Sequence, residues 1–500
     1  MSSLPSLIAS AAQRHPARLA LVVPRGPAAS VEEVTYGALW DRVARIAASL
    51  SAGGVREGDR VLVLVPPSAD LYAAVLAAMA LGAVAVLPPA GSGLRSLHQV
   101  GQTVRPRAVV SGARGRWAGR LVPTLWRASA LCLDGPLPGG DFRLAQPSPD
   151  RSALFTFTSG TTGQPKGVDR THGTLLAQHR MLDAAHPAPG DAAALTLFPV
   201  AALHHLCCGH TAALALPGTA AARPEALLAS LRRHRVHTLT GPPPVLAALA
   251  AYVQSAGASG LSVRQVGVGG APVARGLLEA LRAAFPEADV QVLYGSSEAE
   301  PVAAIGADEV LRADPDGRLG YPAGHVHPDA RVRLLAVDGA DGWGEVLVAG
   351  PHVVERYVGA AEAEAATKVR DAEGRLWHRM GDVARQDADG RLWLGGRVGR
   401  LLPGTNGLVP PFPLEAQGES WPGVGRLALH AYRGGVIGWI AGTPAAPTLE
   451  AVHATVVAAG CPAPRLVPGS RLPVDARHRW KVDYAALDRM AARLSNPSSR

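Results

Sequence analysis

Short apolar runs alternate with alanine-rich stretches through the first half of the chain. Residues 60–65 read as a strand, 69–81 as a helix and 83–87 as a second strand. The run 71–87 carries no charge and invites a membrane reading. Gly82 breaks it, and Asp70, Pro88 and Pro89 bound it, so a buried helix followed by a buried strand is predicted instead. Further strands are predicted at 192–198, 237–240 and 263–267, with helices at 224–233 and 274–284. This βαβ rhythm predicts mostly parallel sheets with helices on both faces, and ligands at the carboxyl ends of strands. From about residue 317 the texture changes. Short strands at 344–348 and 391–394 are separated by Gly- and Asp-rich turns, as in a small β-rich subdomain. The Gly/Pro-rich segment 395–413 reads as a hinge, and helices near 448–459 and 483–494 point to a small α+β unit at the end. The stretch 104–150 gives no clear pattern, and no internal repeat is present.

Composition narrows the class. Apolar residues make up 48% of 500 positions and charged residues 18%, which suits folded domains and excludes a disordered chain. The net charge of +9 raises the question of nucleic acid. The cations are scattered arginines with Asp and Glu between them and no basic block interleaved with aromatics, so no nucleic-acid partner is expected. Lysine occurs only at Lys166, Lys368 and Lys481. Four cysteines form no CxxC, which predicts a reducing compartment and no zinc framework. The first residues lack a basic start followed by an apolar core, so no signal peptide is expected and a cytoplasmic location is predicted.

The predicted strand 152–157 runs into Thr158, Ser159, Gly160, Thr161, Thr162, Gly163, Gln164, Pro165, Lys166 and Gly167. Three glycines and four hydroxyls make a loop rich in donors, through which backbone N–H groups can approach a polyphosphate and the lysine can add a cation. It is not a Walker A loop: Pro165 precedes the lysine where glycine is needed, and Gly167 follows where Ser or Thr would hold magnesium. An ordinary flexible loop is the plain alternative. Against it, nearly every other cation in the chain is arginine, so a retained lysine marks a position where a guanidinium does not serve.

Thr158–Gly167 resembles the phosphate loop of the acyl-adenylate-forming superfamily, which includes acyl-CoA synthetases, luciferases and peptide-synthetase adenylation domains. Other motifs follow in the family's order, covering about residues 30–490. Gly269, Gly270, Ala271 and Pro272 resemble its adenine-contacting turn. Tyr294, Gly295, Ser296, Ser297 and Glu298 resemble the motif whose aromatic ring stacks on adenine, whose hydroxyl meets phosphate and whose glutamate holds Mg²⁺. An aromatic face suits a flat base, and a carboxylate suits a hard cation. His378 to Asp382 resembles the segment whose aspartate binds both ribose hydroxyls, and Arg397 the hinge-side arginine that contacts ribose or phosphate. Pro473 to Asp483 resembles the C-terminal motif ending in a catalytic lysine, here Lys481, which in the family neutralises charge developing between carboxylate and α-phosphate.

The resemblance implies an α/β fold. A large N-terminal region over 1–396 would contain two α/β subdomains and a small β-barrel-like one, and 397–500 would form a small mobile α+β lid. It implies ATP and Mg²⁺ as cofactors, with CoA a further candidate, and a small carboxylic acid as substrate, with no membrane span. The acid would be activated to acyl-AMP with release of pyrophosphate and then transferred to CoA or another thiol, such as a carrier protein. Lys481, Thr158 and Glu298 would be catalytic. Thr158, Ser159, Gly160, Thr161, Thr162, Gly163, Lys166, Gly270, Ala271, Pro272, Tyr294, Gly295, Ser296, Ser297, Asp382 and Arg397 would bind ATP, with Glu298 on the metal. His204, His205 and Gly269 would line the substrate pocket. His204, His205, Cys207 and Cys208 lack finger spacing, so pocket lining is expected there rather than metal.

Two departures refine the reading. Aligned with the family's hinge, Gly399, Pro403 and Asn406 replace the pivot residue, a lysine and a glycine near the CoA tunnel. His378–Asp382, Pro473–His478 and Gly344–Pro351 are more similar to the β-lactone synthetases of olefin biosynthesis, in which a β-hydroxy acid closes on its own acyl-AMP without CoA. That is the alternative second step. A non-catalytic nucleotide- or acyl-binding relative is the alternative from another functional class. Lys368 also lies in a segment similar to that branch, yet a solvent-exposed lysine is expected there.

Overall fold

The computed structural model describes residues 3–24, 31–89, 91–113, 115, 120–135, 137, 141–159, 165–215, 219, 222–469, 472–475 and 481–495. The fold is mixed α/β and divides into two compact units. The first comprises 1–239, 297–300 and 349–378, and the second comprises 240–296, 301–348 and 379–500.

In the first unit a seven-stranded sheet runs in the order Arg356–Val358, Pro165–Thr171, Ser152–Ser159, Val84–Leu87, Arg60–Leu64, Ala108–Ser111 and Ser129–Cys132. Its inner pairs are parallel, and the hairpin at one side is antiparallel. Both faces are covered. Val61 and Val63 pack into one core while Leu62 packs into the other, and Ala85 alternates with Val84 and Val86 in the same way. Two covered faces explain why these strands read as unbroken apolar runs. The helix Ala69–Ala80 is buried nearly all round, and Ser68 caps it by accepting from the Leu71 N–H at 3.3 Å. Its lack of charge after Asp70 therefore reflects a core position, and no helix among the described residues is long and apolar enough to cross a membrane. A second sheet segment places Ala193–Thr196, Thr211–Leu214, Leu19–Pro24 and Val31–Thr35 side by side.

In the second unit Gln265–Gly269 lies parallel to Asp289–Ser296. Tyr321–Val326, Leu392–Arg397 and the later part of Leu376–Gln386 form the antiparallel, β-rich portion. The last hundred residues carry a three-stranded sheet of Val424–Tyr432, Gly435–Gly442 and Arg465–Val467. Val452 and Val456, on the helix Ala446–Ala458, pack on one face, and Leu487 and Ala491, on the helix Tyr484–Ser495, on the other. The expected hinge is more structured than its Gly/Pro content implies. It holds a short hairpin, Leu402–Gly404 with Gly407–Val409, and the helix Pro411–Glu419. The unread stretch 104–150 contributes the short strands Ala108–Ser111 and Ser129–Cys132.

Candidate active site

The strands Ser152–Ser159 and Pro165–Thr171 pair so that Thr158 faces Lys166 and Ser159 faces Pro165. The expected ten-residue loop is therefore strand at both ends. Gly160, Thr161, Thr162 and Gly163 lie outside the described residues. Gly167 sits where a Cβ would come within 2.9 Å of the Phe157 ring, so the second strand needs a glycine to lie flat on the first.

Lys166 projects from this hairpin onto Glu298, with Nζ 3.2 Å from Oε1. The side chains are only 21% and 14% exposed, so this is a largely desolvated ion pair rather than a surface one. Tyr357 completes it: its hydroxyl donates to Glu298 Oε1 at 2.9 Å, and Lys166 Nζ stands 3.8 Å from its ring centroid. Burial pushes the Glu298 carboxyl up, but Lys166 and the other groups around it outweigh burial and bring it down to about 2. Glu298 is thus held ionised.

Lys368 corrects an expectation. Instead of pointing into solvent it is half-buried, donates to the Val354 carbonyl and lies 5.4 Å from the Tyr357 centroid. Burial lowers its ammonium to about 8, against the pull of Glu298. Two of the three lysines in the chain therefore flank one tyrosine beside one glutamate. His378 pairs with Lys368 across two strands, and burial followed by Lys368 lowers it to about 4. Arg170, 4% exposed, braces the same region: it donates to Thr156 Oγ1 at 2.6 Å and to the Ser297 carbonyl at 2.8 Å. The residue before Glu298 is thereby tied to the hairpin that carries Lys166.

In the second unit Tyr294, near the end of its strand, is 8% exposed, and its hydroxyl donates to Asp382 Oδ2 at 2.8 Å. Arg397 pairs with Asp382 Oδ1 at 2.7 Å and donates to the Met380 carbonyl. Ser296 Oγ lies 3.7 Å from Met380 Sδ. Burial, then Asp382, pushes the Tyr294 hydroxyl well up, so it remains a donor. Gly269 ends its strand where a Cβ would lie 2.5 Å from the Leu293 carbonyl oxygen. Gly270 turns with φ +82°, leading into Ala271 and Pro272. Gly295 continues the strand that holds Tyr294. Lys481 is exposed, next to the bridge between Val474 and Val482, and its carbonyl accepts from the Asp475 N–H at 2.9 Å.

His204 and His205 are buried on the helix Ala201–Cys208 of the first unit. Tyr357, Lys368 and Arg170 were not among the expected site residues. Only Lys368 left a trace in the sequence, through the scarcity of lysine. Arg170 is one arginine among many, and Tyr357 arrives by the pairing of Arg356–Val358 with the lysine-bearing strand, a contact that no local pattern reveals.

The chain matches the family described as AMP-binding enzyme over residues 8–358. It is 30% identical to the olefin β-lactone synthetase of Xanthomonas campestris pv. campestris, covering 98% of this chain and 97% of that one. It is 30% identical to 4-coumarate–CoA ligase-like 4 of Oryza sativa subsp. japonica, covering 81% and 77%. Among solved structures, the O-succinylbenzoate coenzyme A synthetase of Bacillus subtilis in complex with AMP shares the fold at a TM-score of 0.77 and 21% identity, over 96% of this chain and 97% of that one. The order of motifs, the buried lysine–glutamate pair and these likenesses agree, and the chain belongs to the AMP-binding enzyme family.

Proposed function

We propose that this protein activates a β-hydroxy carboxylic acid with ATP and closes it to a β-lactone. A carboxylate oxygen of the acid attacks the α-phosphorus, the bond from that phosphorus to the bridging oxygen breaks, and pyrophosphate leaves. The acid's own β-hydroxyl oxygen then attacks the acyl carbon of the acyl-AMP. AMP leaves with the electron pair of the broken C–O bond, and the hydroxyl proton passes to solvent.

The observation that carries the first step is the desolvated Lys166–Glu298 pair at the end of the hydroxyl-rich hairpin. Lys166 offers a fixed ammonium to phosphate oxygens, and Thr158, Ser159 and the loop after them offer donors. Glu298 is an ionised oxygen ligand of the kind Mg²⁺ takes, so the donor set fits that ion, which when bound supplies charge neutralisation at the phosphates. Tyr357 fixes the carboxylate's orientation. On the nucleoside side, Asp382 accepts the two ribose hydroxyls. Each of its oxygens has one partner here and keeps a lone pair for a diol. Arg397 pairs with Asp382, Gly270, Ala271 and Pro272 border the base, and Tyr294 positions Asp382 through its hydroxyl. Lys481, carried by residues 397–500 acting as a lid, neutralises charge during the attack and withdraws afterwards.

The β-hydroxy acid is supported by near full-length likeness to a β-lactone synthetase and by Gly399, Pro403 and Asn406 in place of the CoA-side residues. Transfer to a thiol such as CoA is the second reading, favoured by the likeness to a 4-coumarate–CoA ligase-like protein over 81% of the chain. The test is product analysis with ATP and a panel of β-hydroxy and plain fatty acids, with CoA added or withheld. We expect AMP and a β-lactone from the hydroxy acids without CoA. AMP release that requires CoA and yields only a thioester would reject ring closure, and absence of ATP–pyrophosphate exchange with every acid would reject activation itself.

A further inference from the structure

The first unit contains a cluster of nitrogen and sulfur ligands that the adenylation chemistry does not use. The helix His172–Ala185 presents His179 and Asp183, and the helix Ala201–Cys208 presents His204 and Cys208. Each pair is spaced i, i+4, so both members lie on one helix face. The two faces meet. His179 Nδ1 lies 3.0 Å from His204 Nδ1, Cys208 Sγ lies 3.9 Å from His204 Nδ1, and Cys208 Sγ lies 3.5 Å from Asp183 Oδ1. One ligand atom each from His179, His204 and Cys208 falls within 4.8 Å of the others.

We propose that His179, His204 and Cys208 bind one zinc ion, so that the metal pins these two helices together. A tetrahedral zinc with Zn–N near 2.0–2.1 Å and Zn–S near 2.3 Å sets its N···N edge at about 3.3 Å and its N···S edge at about 3.6 Å. The observed 3.0 and 3.9 Å lie on either side of those values, within reach of small side-chain rotations. Two imidazoles and a thiolate make a soft set that selects zinc over magnesium or calcium. Without metal, one proton bridges the two Nδ1 atoms. On binding it moves to Nε2 of the same ring, so both rings coordinate as neutral imidazoles. The Sγ–H bond is replaced by an Sγ–metal bond, and the one proton released passes to solvent. The finger-like spacing absent from the sequence is thus replaced by two helical pairs far apart along the chain.

The test uses the full chain, stripped with chelator, titrated with zinc chloride and desalted before metal analysis. We expect one zinc per chain, affinity lowered at least about a hundredfold in Cys208→Ser and in His179→Gln, and no change in Cys132→Ser. On the unmutated protein, zinc should protect Cys208 from iodoacetamide, mapped by mass spectrometry, and cobalt should give a thiolate-to-metal charge-transfer band. These two readouts stand even where a variant fails to fold. Equal zinc retention in Cys208→Ser, no retained zinc, or unchanged Cys208 alkylation would overturn the proposal.

Discussion

Removing the ammonium that faces Glu298 should expose how strongly the two groups depend on each other. In Lys166→Met, Glu298 keeps its burial and loses the cation 3.2 Å away. A carboxyl moved from an ordinary 4.5 to about 2 is favoured in its ionised form by about 3 kcal/mol. Both side chains are less than a third exposed, so solvent screening removes only part of that. Removing the cation from a largely buried carboxylate costs about 3–5 kcal/mol at neutral pH. The sign follows from the lowered carboxyl. Its contribution to stability is full above about pH 4.5 and is lost as pH falls toward 2, whereas in Lys166→Met burial raises Glu298 and its penalty shrinks as pH falls from 7.5 to 5.5. Urea denaturation of the wild type, Lys166→Met, Glu298→Gln and the double variant gives the coupling directly. We expect about 2–3 kcal/mol at pH 7.5, with Glu298→Gln partly rescuing the stability of Lys166→Met. A coupling below about 0.5 kcal/mol, the value of an exposed pair, would refute the reasoning.

Arg170→Lys should lower stability by about 2–3 kcal/mol and reduce ATP–pyrophosphate exchange, because an ammonium cannot span Thr156 and the Ser297 carbonyl as the guanidinium fork does; unchanged urea midpoint and exchange would remove Arg170 from the account. Asp382→Asn should raise KM for ATP about tenfold or more with a smaller effect on kcat, checked by initial-rate exchange kinetics, and an unaltered KM would rule out the ribose role. Glu415 is buried, accepts from the Leu429 N–H at 2.7 Å and is pushed up to about 8 by burial. Its ionisation therefore costs stability increasingly as pH rises from about 4.5 to 8, and Glu415→Gln should lose less in melting temperature than the wild type between pH 6 and 9; equal losses would contradict this.

The parts of this architecture held by local patterns were readable in the chain. Ala69–Ala80 carries no charge after Asp70 because it is buried nearly all round, and the strands beside it are apolar on both faces because both faces are covered. Lys166, Glu298, Tyr294, Asp382 and Arg397 stood out because their residue types and order resemble a known family. Residues brought in by distant pairing were not legible. Tyr357 reaches Lys166 only because Arg356–Val358 joins the sheet beside it, and Lys368 turns inward because its strand lies against His378. His179 meets His204 through helix packing that neither segment signals alone. Arg170 is hidden by composition, since a chain that uses arginine almost everywhere gives no sign of which one is buried.

The central claim is that the acid's carboxylate attacks the α-phosphorus of ATP. Incubation with acid labelled with ¹⁸O in both carboxyl oxygens, followed by mass spectrometry of AMP, tests it directly. One labelled oxygen in AMP and none in pyrophosphate is the predicted result. Unlabelled AMP, or label carried into inorganic phosphate, would contradict it.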